Sequence, residues 1–132
     1  MQEHQCDKAM LDLSADLAAY FGPGNDSAGH ALAMRFLETM GRSPGLFISN
    51  FGNPLRDMNA AIRLLPPGYY WLIGHGRFRP QEPLGGCMVY DPEVNDPDSP
   101  DAAAKAETVN GAICMCALQM HRRHQQSRAG RA

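Results

Sequence analysis

The stretch NAAIRLLPPGYYWLIGHGRFRP, residues 59–80, decides the fold. It holds the only Trp of the chain (Trp71), two of the four Tyr residues (Tyr69 and Tyr70), a Pro66-Pro67-Gly68 break and an Arg77-Phe78-Arg79 tip. Pro66 restricts Leu65, Pro67 restricts Pro66, and Gly68 permits a backbone reversal, so a helix ends here and a strand begins. Residues 69–75, YYWLIGH, are almost all aromatic or branched. Such a run suits a pleated surface buried on both faces or half-covered by rings, and it predicts the strand on which a sheet is centred. On this reading Trp71 and one Tyr anchor the sheet against helices, and Trp71→Ala should cost about 3–5 kcal/mol. Only the tip from Arg77 to Arg79 is left free to meet a partner.

The segment leading into the break reads as a helix over residues 54–65. Asn53 serves as N-cap, Pro54 sits at the first helical position, Asp57 favours the positive end of the dipole, and Met58, Ala61, Ile62 and Leu65 point inward. Before it, PGLFISN is short, apolar and bounded by turn residues, which predicts a strand at the sheet edge over residues 45–49. Two helices precede that strand. One spans residues 5–21 with Met10, Leu13, Leu17, Tyr20 and Phe21 at helical spacing; the other spans 28–40 with Ala33, Phe36, Leu37 and Met40 inward. GPGNDS separates them, with Asp26 or Ser27 as cap, and Gly41 supplies a left-handed C-terminal residue. Downstream, a polar loop leads to CMVY, a strand over 87–90 paired antiparallel with the first. Residues 91–101 then carry five acids, three prolines and almost nothing apolar, which predicts an exposed loop. Residues 103–124 form a last helix with Val109, Ala112, Ile113, Cys116, Ala117 and Met120 as one stripe, and residues 125–132 form a frayed tail. The expected fold class is α+β: a small antiparallel sheet of two or three strands packed against helices, with an N-terminal helical hairpin over residues 1–41, all in one domain.

Composition sets the outer bounds. At 132 residues the chain is long enough for one core and too short for two. The apolar fraction of 44% and charged fraction of 20% are those of a water-soluble protein, and no run approaches the roughly 18 apolar residues of a membrane span. The polar start, MQEHQCDKAM, lacks the apolar segment of an export signal, and the four Cys residues sit within helical or strand patterns rather than at loop staples. Both point to a cytoplasmic protein with free thiols. The net charge of −2 implies no partner by itself. The acids of 91–101 and the four Arg residues after His121 read as a solvated loop and a solvated tail.

Two stretches carry a family likeness. DMNAAIRLLPPGYYWLI runs an Ala-rich helix through a Pro-Gly turn into an aromatic strand, and AETVNGAICMCALQMHRR is an Ala- and Cys-rich helix that ends in basic residues. Together, over residues 53–123, they resemble the phage ABA-sandwich domain family of small phage and prophage proteins. The resemblance implies a setting rather than a chemistry: an accessory protein that, if phage-encoded, acts in the host cytoplasm and works by binding a host or phage macromolecule, with inhibition of host defence as one such role. It brings no catalytic residues, and the first 45 residues have no counterpart in it.

Three constellations could carry chemistry. Cys87 at the start of a strand and His75 at the end of its neighbour could meet as nucleophile and base, which is the pattern of an enzyme or ligand-binding protein; a buried strand Cys and a strand-end His also occur in inert domains. Gly74 and Gly76 allow close backbone approach, and His75, Arg77 and Arg79 as donors with Phe78 as a stacking ring could hold a phosphate or a single-stranded base; a solvated hairpin tip has the same composition. Cys114 and His121 share a helix face and are of the types that bind zinc, but Cys114 and Cys116 point about 200° apart, so four ligands from this helix do not converge. The reading carried forward is a non-enzymatic protein without cofactor or metal whose partner is a protein; its alternatives are a small enzyme or ligand-binding protein using His75 and Cys87, or a nucleic-acid-binding module using the Arg77–Arg79 tip, and no membrane association is expected.

Overall fold

A computed structural model describes residues 2–76, 79–94, 96 and 98–131, and the side chains of residues 8–126 within that set. Its elements, in chain order, are α1 (Gln2–Ala19), α2 (Ser27–Thr39), α3 (Pro44–Phe51), α4 (Met58–Ile62), β1 (Tyr70–His75), β2 (Gly85–Tyr90), β3 (Ala102–Ala106) and α5 (Val109–Arg131). The three strands form one antiparallel sheet in the order β1-β2-β3. The fold is therefore α+β, as expected, and no helix among the described residues is long and apolar enough to cross a membrane.

The helical hairpin follows its sequence signals closely. Asp26 caps α2 by accepting from the Gly29 N–H at 2.5 Å. At the other end the Gly41 N–H donates to the Glu38 carbonyl and the Arg42 N–H to the Leu37 carbonyl, with Gly41 at φ 75°, so the helix closes on the paired bonds that only a left-handed residue allows at low cost. The Tyr20 hydroxyl lies against both the Pro23 carbonyl and the Asp26 carboxylate, clamping the turn between the helices. Loss of hydration and the bond to Asp26 push the Tyr20 hydroxyl up to about 12, while the same bond, helped by the Gly29 N–H, pulls the Asp26 carboxyl below its ordinary range. Leu13, Leu17, Ala33, Phe36 and Leu37 are buried, but Phe21, predicted inward, stands in solvent past the end of α1.

Five expectations are corrected. Residues 125–131, read as part of a frayed tail, continue the helix α5 to Arg131. Residues 44–51 are the helix α3 and not a strand: Ser43 is the N-cap, Pro44 opens the helix, and the Gly52 N–H closes it on the Ile48 carbonyl. The helix expected over 54–65 is reduced to α4, because Asn53 spends its side chain on an Asx turn to the Leu55 N–H and on the Gly24 carbonyl, while Asp57 caps the true start through the Asn59 and Ala60 N–H groups. Met58 consequently faces outward. The last helix, expected from Ala103, starts at Val109, and residues 102–106 are instead β3, whose Ala102 and Ala106 are buried beneath the helices. Finally, β1 is an edge strand and β2 is the centre. Trp71 is 42% exposed, so it lies at the rim of the core and not at its middle.

The helices lie on one side of the sheet. Cys87 and Val89 of β2, with Ala102 and Ala106 of β3, turn toward α5, whose Cys116 thiol reaches the Cys87 carbonyl and whose Ala112, Ile113, Ala117 and Met120 are buried in the same core. α1 packs on α5 and along β3, where the Glu107 N–H donates to the Ala18 carbonyl at 2.9 Å. A Cβ at Gly85 would fall 2.4 Å from the Thr108 carbonyl, so the first residue of β2 has to be glycine for the chain to turn tightly into α5.

Candidate functional site

Strand alternation settles which side chains meet solvent. Tyr70 pairs with Tyr90, Leu72 with Met88, and Met88 in turn with Ala103. Since successive residues of a strand point to opposite faces, these residues and Lys105 project away from α5. Their exposure confirms it: Tyr70 is 68%, Leu72 58% and Met88 38% exposed, while Val89, the residue after Met88, is wholly buried. One face of the sheet is thus an apolar surface that no described helix covers. Contiguous exposed apolar area of this kind marks a binding surface more often than a solvated one.

The face has two shallow depressions. One, of about 380 Å³, is lined by Tyr70, Trp71, Leu72, Tyr90 and Pro92, with Asp91 and Asp96 at its margin. The second, of about 480 Å³, lies at the other end of the strands between Gly74, Gly86 and Met88, and has His75, Glu82 and Lys105 around it. Gly74 and Gly86 face each other across the ladder and carry no side chain to fill that end, so the surface is floored by backbone there. The open face is therefore apolar along its middle, acidic at the Tyr90 end and mixed in charge at the other.

Most residues singled out by the sequence lie elsewhere. Arg77 and Phe78 fall outside the described residues; Arg79 is exposed, and its carbonyl accepts from the Glu82 N–H at 3.0 Å in the turn before β2. His75 pairs with Gly85, two residues from Cys87, which puts the pair on a diagonal of roughly 7–8 Å. Cys87 is 2% exposed, and the depression that His75 lines does not include it.

The buried thiols form a cluster of their own. The Cys116 thiol donates to the Cys87 carbonyl at 3.3 Å, and the Cys114 thiol approaches the Pro54 carbonyl at 3.9 Å. Hydrogen bonding to Cys87 and burial push the Cys116 thiol far up, burial does the same to Cys114, and the bond from Cys116 draws Cys87 down against the opposing effect of its burial. Two of the three thiols are thereby held protonated inside the core, where they pack as small apolar groups. Among the described residues no three His, Cys, Asp or Glu side chains converge as metal ligands. His121 instead lines a cleft with Arg42, Arg63 and His124, away from Cys114.

Sequence reasoning missed Leu72, Met88 and Tyr90 as surface residues. The signal that could have found them is the alternation of GGCMVY, where Cys87 and Val89 are separated by the larger Met88 on the opposite face. No known family matches the chain, and no curated protein or solved structure matches it.

Proposed function

We propose that this chain is a non-enzymatic binding module, an accessory protein of the phage or prophage type, whose partner is a protein seated on the open face of the sheet. The observation that carries this reading is the run of exposed Tyr70, Leu72 and Met88 on a face without helices. The resemblance of residues 53–123 to small phage accessory proteins supports the setting, and within it a host protein, such as a component of a defence system, is the partner to look for. The burial of Cys87, outside the depression that His75 lines, argues against the enzyme alternative.

Charge selects the partner. Exposed tyrosines on an open sheet can also stack nucleic acid bases. Asp91 and Asp96 border the depression that Tyr70 and Tyr90 line, however, and would repel a phosphate chain lying there. A protein surface with apolar side chains at its centre and Lys or Arg at one margin satisfies both the face and its acidic edge.

The test places a photo-crosslinking phenylalanine analogue at Leu72 or Met88, with controls at the more exposed Leu11 and Leu46, in a bacterial host lysate. The reading expects one discrete protein adduct from the two face positions only, lost when Asp91 and Asp96 are both changed to Lys. Equal labelling from all four positions, or an adduct with nucleic acid, contradicts it.

A further inference from the structure

The outer edge of the sheet carries a second surface, made of backbone and independent of the face reading. The phase of the β1–β2 ladder is fixed by the bond from the Gly76 N–H to the Leu84 carbonyl at 2.8 Å. Gly76 continues the register in which Gly74 meets Gly86, Leu72 meets Met88 and Tyr70 meets Tyr90. In an antiparallel ladder alternate residues turn their N–H and C=O toward one neighbour or the other. Tyr70, Leu72 and Gly74 therefore bond to β2, and Trp71, Ile73 and His75 turn theirs outward. Among the described residues no hydrogen bond reaches those outward groups.

The two edges of the sheet are treated differently. At the β3 edge the Gln119 side chain of α5 accepts from the Ala103 N–H at 3.2 Å and donates to the Ala103 carbonyl at 2.9 Å, and α1 packs alongside. The β1 edge has none of the devices that keep strand edges apart: it is six residues long, without Pro, Lys or an acid. We propose that β1 pairs antiparallel with β1 of a second copy of this chain about a two-fold axis at Ile73, making one continuous six-stranded sheet.

Several features select a second copy over an arbitrary peptide. Centring the pair on Ile73 sets Trp71 opposite His75 of the partner and His75 opposite its Trp71, so every outward N–H and C=O of the strand is used. No like charges are opposed, and the Trp71 and His75 rings of the two copies become directly opposed cross-strand neighbours. On the open side the same register puts Leu72 of one copy beside Gly74 of the other. A Cβ at Gly74 would meet nothing within 4 Å, so the space the partner's leucine needs is present. An interface of this length is smaller than the roughly 1,200–2,000 Å² of stable complexes, so dimerisation is expected to depend on concentration in the micromolar range.

The experiment is sedimentation of the full chain from about 5 µM to about 1 mM, a span that brackets a micromolar dissociation constant. It is paired with amide exchange at low and high concentration. The mass should rise from that of the 14.4 kDa chain toward its double. The Trp71, Ile73 and His75 amides should gain protection together, while those of Leu72 and Gly74, already bonded to β2, stay constant. His75→Pro removes an outward N–H without touching the ladder to β2, and should weaken the dimer by about tenfold or more. A chain that stays monomeric throughout overturns the edge pairing and leaves the face reading standing. A dimer unaffected by His75→Pro, in which the outward amides exchange as in the monomer, overturns it as well.

Discussion

Truncating Leu72 is the sharpest stability test of the account. Leu72 is 58% exposed, so folding removes only about two-fifths of its surface from water. Full burial of a leucine stabilises by about 1.5–3 kcal/mol, which leaves about 0.6–1.3 kcal/mol for this side chain. No sealed cavity forms, because the site opens to solvent, so the extra cost that accompanies core truncations is absent. Leu72→Ala should therefore cost about 1 kcal/mol. Ile113 is wholly buried between α5 and the sheet, and Ile113→Ala should cost about 2–5 kcal/mol. Urea denaturation at low micromolar protein, with the slope unchanged, reads both differences directly, and the dilution keeps self-association from adding to the stability of the parent. Equal losses for the two variants would mean that Leu72 is covered in the folded chain, and the reasoning about the open face would fail.

Further predictions follow from the same geometry. Trp71→Ala should cost about 2–3 kcal/mol, less than a core tryptophan, because the ring is partly exposed at the sheet edge; a thermal melt checks this. The Tyr20 hydroxyl is raised to about 12 from an unfolded value near 10, so its contribution is complete below pH 10 and is lost as pH rises through 12. Ultraviolet titration should show a late-ionising tyrosine that Tyr20→Phe removes. Asp26 is shifted the other way, so its contribution is present above the unfolded carboxyl value and is lost as pH falls through the depressed one; Asp26→Asn should flatten the acid limb of stability in urea melts. Gly85→Ala drives a methyl group into the Thr108 carbonyl and should destabilise by about 1–3 kcal/mol in calorimetry. In a Cys6→Ser background, Cys87, Cys114 and Cys116 should react with a thiol reagent only as fast as the chain unfolds.

The sequence disclosed the helices at its two ends better than the sheet between them. In the α2 hairpin the signals were local: Asp26, Gly41 and the spacing of Phe36 and Leu37 each act within one turn, and each is where it was expected. The two Ser/Asn-Pro pairs show the limit of such signals. Ser43-Pro44 opens α3, while Asn53-Pro54 opens only a turn, because a carbonyl 29 residues away, that of Gly24, takes up the Asn53 side chain. AAAKA shows it again: alanine is the strongest helix former, yet β2 supplies a ladder and the helices leave room only for small residues, so Ala102–Ala106 become a strand. Missing β3 displaced the centre of the sheet from β2 to β1. That one omission made the Tyr70–Ile73 run look hidden, and it concealed the face on which Tyr70, Leu72 and Met88 now stand.

The most direct measurement is the attenuation of side-chain methyl signals by a soluble gadolinium chelate, recorded on the dilute protein. If the sheet has an uncovered working face, the Leu72 and Met88 methyls lose intensity as strongly as that of the exposed Leu46, while Val89 and Ile113 keep theirs. Leu72 and Met88 signals as well protected as those of Val89 would contradict the account.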